Sequence, residues 1–405
     1  MNRRRKELVM NAEIIMQQAK RLQPELQVWR RWLHGHPGTG FEIEETVEYV
    51  MARLGKMGYV PQRCGKAGVV ALVGGKRPGK TFLLRADMDA LPIPEQSGED
   101  FAAENGKMHA CGHDLHAAML LGAAKLLKDH EEELVGTVKL MFQPAEEIFR
   151  GALDMLENGV LENPKVDAAM MLHVNTMPGA QEGFALIPPG GISMSSCEQY
   201  HITVRGKGGH GSTPNVAIDP LTAAAHIHIA LQEINSRELD PNQFGVFTTG
   251  KFQAGTVSNV IPDSAEMWGT IRTADPAGKI AEQIKTRITE IAQGVGTALR
   301  CAVEVEFFDA CPCMVVDEAL ASCVTKYTAE LLGEGTHPLR KRGVGSEDFA
   351  FISHRVPVAS MFLSAGDGGG FGLHHPKVTF DDAVLWKGSA IYAHNAMRWL
   401  ADHSD

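Results

Sequence analysis

The chain of 405 residues exceeds the usual size of a single core, so its length predicts two domains or one domain with a large insertion. Its 49 acidic and 39 basic residues give a formal charge of −10, which argues against nucleic-acid binding and favours a small-molecule partner. We expect neither a membrane span nor a secretory signal, because no apolar run is long enough, and seven scattered cysteines then predict a cytoplasmic protein without disulfides.

Four apolar runs are typical of buried strands, and reactive side chains follow each of them. The runs are Thr81–Arg85, Thr137–Phe142, Ala168–Leu172 and Ala359–Leu363, followed respectively by Asp87 and Asp89, by Glu146 and Glu147, by His173, and by His374 and His375. Open α/β sheets place their binding crevices at the carboxyl ends of strands, so these groups predict one site. The segment 115–130 is rich in alanine and leucine and predicts a helix, with Asp114 as its amino-terminal cap. These elements predict an α/β domain with a mainly parallel sheet flanked by helices.

The middle of the chain has a different pattern of elements. It predicts a strand at 199–205, a helix at 219–236, strands at 246–252 and 265–272, a helix at 279–299 and a strand at 302–308. This βαββαβ order is ferredoxin-like and can form a compact domain of its own. We therefore predict that residues 191–309 are inserted between two halves of the first domain, residues 1–190 and 310–405.

The candidate site residues combine imidazole, carboxylate and thiol groups, which are suited to divalent metals. Cys111 and His113 are two residues apart and share a face of an extended segment. Adjacent carboxylates repel each other in one small site, so one of Glu146 and Glu147 should bind metal while the other acts as a general base. His173 is a further candidate ligand, although a lone histidine is often structural. The cysteine could equally be a packing residue and the two glutamates a solvated pair at a helix start.

Further candidates lie around this set and in the inserted domain. Asp87 and Asp89 share a face and are suited to orienting a ligand histidine, although they could instead cap a turn. A glycine-rich loop at 206–212 presents His210. Asn259 is a candidate hydrogen-bond donor to an oxyanion, and the guanidinium group of Arg272 is a candidate partner for a substrate carboxylate. Either residue could instead be an ordinary surface residue.

Six segments occur in a familiar order. They are Arg85–Pro92, Met108–Asp114, Phe142–Glu147, Gly208–Gly211, Gly345–Phe349 and Leu373–Pro376. In these segments the chain resembles the dinuclear metal-dependent aminoacylase and carboxypeptidase family. More narrowly, it is similar to the branch of hippurate hydrolase, bacterial N-acyl-L-amino acid amidohydrolases and plant auxin-conjugate hydrolases, and this resemblance runs from about Leu33 to the carboxyl terminus.

The resemblance implies a role for each matching residue. It implies two divalent ions per subunit (manganese, zinc, cobalt or nickel), with Glu146 as the general base. The implied ligands are Cys111, His113, Glu147, His173 and His374, and His374 rather than His375 matches because it stands two residues before Pro376. The resemblance also implies that the inserted domain is a lid that mediates a homodimer or a higher homo-oligomer. His210 would then act on the partner subunit's substrate, and Asn259 and Arg272 would contact substrate.

The predicted activity is hydrolysis of N-acyl-L-amino acids by water that Glu146 deprotonates. Two alternatives within enzymes use the same machinery: a dipeptidase or carboxypeptidase, and an N-acetyldiaminopimelate deacetylase. An alternative of another class is a metal-binding pseudoenzyme, which predicts the loss of the base or of a ligand. All six of these residues are present in the sequence.

Overall fold

The computed structural model describes residues 11–404, which form two compact units. The first unit contains the described residues up to Gly191, the segment Val315–Arg342 and the described residues from Phe351 onward. The second contains Ile192–Met314 and Gly343–Ala350. The predicted domain limits and the predicted lid and dimer roles remain predictions. Within the described residues, no helix combines the length and apolarity needed to cross a bilayer.

Strands and helices alternate through most of the chain. Within residues 11–404 the strands are β1 (Gln62–Cys64), β2 (Gly68–Gly74), β3 (Thr81–Asp87), β4 (Thr137–Gln143), β5 (Ala168–Asn175), β6 (Ala185–Ile187), β7 (Gly191–Met194), β8 (Cys197–Arg205), β9 (Gly209–His210), β10 (Gly245–Ala254), β11 (Val260–Ile261), β12 (Ser264–Thr273), β13 (Ala302–Cys311), β14 (Met314–Val316), β15 (Thr336–Pro338) and β16 (Val358–Ser364). The α-helices in the same range are α1 (Asn11–Gly35), α2 (Glu44–Lys56), α3 (His113–Asp129), α4 (Gly151–Glu157), α5 (Pro220–Glu233), α6 (Lys279–Ala298), α7 (Glu318–Leu332), α8 (Ala350–Ser353) and α9 (Leu385–Asp402).

The first unit is built on a large, mainly parallel sheet. Its strand order is β1-β2-β4-β3-β5-β16-β6-β15, and the central neighbours β4, β3, β5 and β16 all run parallel. Every residue of β3 is buried, as expected for a strand covered on both faces. Helices α3 and α9 pack against each other and against β3. The predicted fold class is confirmed, and the carboxyl ends of the central strands meet at one edge.

Two local predictions in this unit are wrong. Strand β5 does not end before His173 but continues to Asn175, because its backbone stays paired with β16 through that residue. Helix α3 begins at His113, and Gly112 occupies the capping position with φ 83°, a left-handed conformation that glycine adopts without steric cost. Asp114 therefore lies inside the first turn, and its carboxylate bonds to distant residues instead of capping the helix.

The second unit has the predicted βαββαβ order. Its antiparallel sheet has the strand order β10-β12-β8-β13, which is the ferredoxin-like arrangement. Helices α5 and α6 pack on this sheet through a core that includes Ile202, Ile227 and Ile284. Asp219 caps α5 by accepting a hydrogen bond from the Leu221 backbone N–H.

Candidate functional site

The first unit brings together the side chains that the sequence assigned to metal binding and base catalysis. These are Cys111, His113, Glu146, Glu147, His173 and His374. Cys111 Sγ lies 3.5 Å from His173 Nε2 and 3.3 Å from His374 Nε2. Glu147 Oε1 lies 3.5 Å from His374 Nε2 and 3.9 Å from His113 Nε2. These donor atoms come from segments far apart in the sequence and converge at the carboxyl edge of the sheet.

Hydrogen bonds from Nδ1 orient two of the imidazoles. The Nδ1–H of His113 donates to the Asp89 carbonyl oxygen at 2.8 Å, and the Nδ1–H of His173 donates to the Val174 carbonyl oxygen at 2.5 Å. Because a carbonyl oxygen can only accept, Nδ1 carries the proton in each neutral ring. Nε2 then has a lone pair available for a metal, which is the usual arrangement of metal-binding histidines.

Two buried atoms fit a divalent cation. His113 Nε2 and Glu147 Oε1 are buried and have no hydrogen-bond partner. Buried polar atoms are seldom unpaired, so such atoms within a set of sulfur, nitrogen and carboxylate donors indicate a metal site. Groups of three of these donors, for example those of Cys111, His113 and His173, lie within 4.8 Å of one another. The residues present therefore fit the two ions that the resemblance implies.

Burial shifts the pKa values of two acidic groups in this cluster. Burial raises the pKa of Glu147 to about 7, with Asp89 and Asp87 adding to the effect against the opposing influence of His113. Burial also raises the pKa of the Cys111 thiol. A divalent ion favours the carboxylate and the thiolate, so metal binding should release protons from both groups near neutral pH.

Asp87, the last residue of β3, and Asp89, which follows that strand, have separate partners. Asp89 accepts hydrogen bonds from the Glu146 backbone N–H at 2.9 Å and from the Glu147 backbone N–H at 3.2 Å. It therefore fixes the segment that carries the glutamate pair. Asp87 accepts from Arg85 Nη1 at 2.7 Å and from His116 Nδ1 at 2.5 Å.

His116 was not among the sequence candidates. Its Nε2 accepts the Val174 backbone N–H at 2.7 Å, so both ring nitrogens have partners and the residue supports β5 next to His173. A sequence signal existed, because His113 and His116 are three residues apart on a helix and share a face.

Two of the strained backbone positions in the described residues lie beside the glutamates and at His374. Ala145 has φ 53° and His374 has φ 65°, values that L-residues with a side chain rarely adopt. Each is tied by its backbone N–H, Ala145 to the Gly40 carbonyl at 3.1 Å and His374 to the Ala110 carbonyl at 2.9 Å. Strain of this kind is found where a site requires a particular side-chain direction.

A buried ion cluster fixes the first turn of α3. Arg30 Nε donates to Asp114 Oδ2 at 2.8 Å, and His34 Nδ1 donates to the same oxygen at 2.9 Å. His34 Nε2 also lies 2.9 Å from Glu95 Oε1. Burial acts against a charged imidazole, yet Asp114 and Glu95 outweigh it and raise the pKa of His34 to about 9. Helix α1 thereby anchors the turn that presents His113.

We expect His34→Gln to lower the free energy of unfolding at neutral pH by up to about 3 kcal/mol, from the difference between pKa values of about 9 and 6.5. The folded-state pKa is the higher one, so this stabilisation is complete below about pH 6.5 and is lost as the pH rises through about 9. Urea midpoints of both proteins at several pH values would measure it. His36→Gln, at a neighbouring exposed histidine, is the control. If the free energies of unfolding of wild type and variant still differed by the same amount above about pH 9.5, the stabilisation would not come from the charge of the His34 imidazole.

The other candidates, His210, Asn259 and Arg272, belong to the second unit. His210 is exposed on β9, which pairs with β11, and the Gly211 N–H donates to the Asn259 carbonyl at 2.8 Å. His210 Nδ1 accepts the Ser212 backbone N–H at 3.1 Å, so the proton of the neutral ring lies on Nε2. The side chain of Asn259 is exposed. Arg272 is half-buried on β12, and its Nη1 donates to Ser346 Oγ at 2.9 Å.

Comparison with known proteins identifies the family. The sequence profile of Peptidase family M20/M25/M40 matches residues 83–398. The chain belongs to this family. N-acetylcysteine deacetylase of Bacillus subtilis is 36% identical to this M20 protein over 373 residues, which cover 91% of this chain and 95% of that protein. Hippurate hydrolase of Campylobacter jejuni is 34% identical over 384 residues, covering 94% and 97%.

A solved structure supports the same relationship. The crystal structure of a Bacillus subtilis dinuclear metal-binding peptidase from the M20 family matches this M20 protein with a TM-score of 0.78 and 32% identity. The match covers 94% of this chain and 99% of that one. The family resemblance found in the sequence and the predicted enzyme class, hydrolases of amide bonds, are both confirmed.

Proposed function

We propose that this M20 protein is a metal-dependent amidohydrolase that cleaves the amide bond of N-acyl-L-amino acids. The observation that carries the proposal is the convergence of oriented imidazoles, a thiol and a glutamate pair. Two buried atoms of this cluster, His113 Nε2 and Glu147 Oε1, have no hydrogen-bond partner. The deacetylase and hippurate hydrolase named above, each aligned over more than nine tenths of this chain, support this substrate class. We assign residues 1–190 and 310–405 to a catalytic domain and residues 191–309 to a lid.

The proposed cofactors are two divalent ions held by Cys111, His113, Glu147, His173 and His374. Mixed nitrogen, oxygen and sulfur donors accept manganese, zinc, cobalt or nickel. When bound, such ions polarise a carbonyl group and lower the pKa of water. The protein determines where this chemistry would occur, because the backbone carbonyl oxygens of Asp89 and Val174 accept hydrogen bonds from two of the imidazoles and hold them in place.

Glu146 is the proposed general base. Its backbone is fixed through Asp89, and its Oε2 lies 4.0 Å from His113 Nε2, so the carboxylate borders the ligand set. It takes a proton from the attacking water as the oxygen bonds to the acyl carbon. It then delivers that proton to the amide nitrogen as the carbon–nitrogen bond breaks. The products are a carboxylic acid and a free amino acid.

Three residues of the second unit complete the proposed machinery. His210 carries its proton on Nε2 and is exposed, so it can donate to a developing oxyanion. Asn259 offers a neutral hydrogen-bond donor. It lies close to His210, because β9 pairs with β11 and Asn259 directly precedes Val260, the residue opposite His210. Arg272 is anchored by Ser346, which leaves the rest of its guanidinium fork for the substrate carboxylate.

A homodimer through the second unit is part of the proposal. Leu221 and Ile229 on one face of α5 are 43% and 67% exposed, and Phe252 on β10 is 43% exposed. Within the described residues β10 is an edge strand that pairs only with β12. A two-fold axis would pair this edge with its own copy and cover the apolar side chains. We propose a cytoplasmic location because all seven cysteines are unpaired.

The function is tested by measuring amine release from N-acetyl, N-benzoyl and long-chain N-acyl amino acids beside free dipeptides and N-acetyldiaminopimelate. Enzyme stripped with a chelator and reloaded with manganese or zinc should cleave the blocked amino acids, and the stripped enzyme should not. Cleavage confined to dipeptides would replace the assignment with a peptidase, and cleavage confined to acetyldiaminopimelate would replace it with the biosynthetic deacetylase. Metal binding without any cleavage would indicate a pseudoenzyme.

A further inference from the structure

Arg272 of β12 is a half-buried cation without an acidic partner in the described part of the chain. Its Nη1 donates to Ser346 Oγ at 2.9 Å, and no carboxylate of residues 11–404 forms an ion pair with its guanidinium group. A partly buried guanidinium group that lacks a counter-ion favours an anionic ligand, and its planar geometry matches a carboxylate. The direction of this side chain therefore decides how well a carboxylate is held.

The hydroxyl of Ser346 fixes that direction. It donates its single proton to the Ser195 carbonyl oxygen at 2.8 Å, because a carbonyl oxygen can only accept. The oxygen of the same hydroxyl then presents a lone pair to Arg272 Nη1, because a guanidinium group can only donate. Ser346 thus connects the arginine to the backbone of Ser195 through two hydrogen bonds of defined polarity.

The backbone at Ser195 is itself held on both sides. The Ser195 N–H donates to the Gly345 carbonyl oxygen at 3.0 Å, and the Ser196 N–H donates to the Thr273 carbonyl oxygen at 2.8 Å. Gly345 directly precedes the serine described above, and Thr273 directly follows the arginine. The three segments that carry these groups all belong to the second unit and bond to one another, so the hydroxyl acts from a fixed base.

We propose that Ser346 is a positioning residue for substrate selection, whose hydroxyl directs the Arg272 guanidinium group at the carboxylate of the N-acyl amino acid. The inference rests on the proposed function. Without the hydroxyl, Nη1 loses its partner and the long arginine side chain occupies other rotamers, so ordering it around a carboxylate costs more entropy. The proposed metal ligands and the general base are unchanged. The effect therefore falls on the binding of substrates with a free carboxylate and not on the chemical step.

The test uses the N-acyl-L-amino acid that metal-loaded wild type cleaves best and its carboxamide, for example N-acetyl-L-leucine and N-acetyl-L-leucinamide. Release of the acyl group as a carboxylic acid is measured for both. In Ser346→Ala, KM for the acid should rise roughly tenfold, the scale of one hydrogen bond to a charged group. Its kcat for the acid and its kcat/KM for the carboxamide should stay at the wild-type values.

Two further variants control this experiment. Ser346→Thr keeps a hydroxyl and should keep the wild-type KM for the acid. Ser264→Ala removes the hydroxyl of a half-buried serine at the opposite end of β12 and should behave as wild type. Metal content is measured in every sample and should not change.

The outcomes separate the role of Ser346 from the function on which it rests. A rise in KM for the acid that is confined to Ser346→Ala would support the assignment. An unchanged KM, or an equal fall in kcat/KM for the acid and the carboxamide, would overturn it while hydrolysis itself remains. A wild type that cleaves the carboxamide as well as the acid would also overturn it, because the carboxylate would then not be recognised. A wild type that cleaves no N-acyl amino acid would overturn the proposed function and this inference with it.

Discussion

Glu146→Gln should lower kcat roughly a hundredfold to ten-thousandfold while both divalent ions stay bound. Glutamine has nearly the same shape and keeps the backbone N–H that donates to Asp89, but it cannot accept a proton. Substrate binding should change little, so the loss should lie in kcat rather than in KM. Steady-state kinetics with elemental analysis of the same sample measures both quantities.

The neighbouring glutamate provides the matched control for that experiment. Glu147→Gln removes a carboxylate whose Oε1 lies 3.5 Å from His374 Nε2, so this variant should lose metal as well as activity. Full turnover in Glu146→Gln would remove Glu146 from the mechanism. Loss of metal in Glu146→Gln together with retention in Glu147→Gln would exchange the two roles.

His210→Ala should lower kcat roughly a hundredfold to a thousandfold without changing metal content, as expected for loss of an oxyanion donor. If the partner subunit's His210 serves each site, mixing this variant with Glu146→Gln should restore activity. After random exchange of equal amounts, half of the dimers are hybrids and one of the two sites in each hybrid is complete. About a quarter of the wild-type activity should then return.

Controls for the mixing experiment follow from the second unit. Gln293→Ala changes an exposed residue of α6, outside both the proposed machinery and the proposed dimer surface on α5 and β10, and should behave as wild type. Subunit exchange is followed with mass-tagged chains, so that hybrid formation is measured separately from activity. Complete exchange without recovery of activity would show that His210 does not act across a dimer.

The sequence located the strands because their periodicity and apolar content are local properties. The runs predicted as strands correspond to β3, β4, β5 and β16, and the βαββαβ order of the second unit agrees with the structure. Strand ends were less accurate, as at His173, because pairing with β16 extends β5 beyond the apolar run. The local sequence around β5 contains no information on pairing with β16, which lies nearly two hundred residues later in the chain.

The sequence by itself determined the chemical types of the site: imidazoles, a thiol and two carboxylates at strand ends. Only the tertiary structure decided their partners. Asp114 could have capped its own helix, and it instead accepts from Arg30 and His34, residues 84 and 80 positions away. A carboxylate within a buried cluster bonds to whichever cation the fold places beside it, because leaving either charge unpaired costs several kcal/mol. The same dependence on distant neighbours explains the role of His116, whose two partners, the Asp87 carboxylate and the Val174 N–H, come from the neighbouring strands β3 and β5.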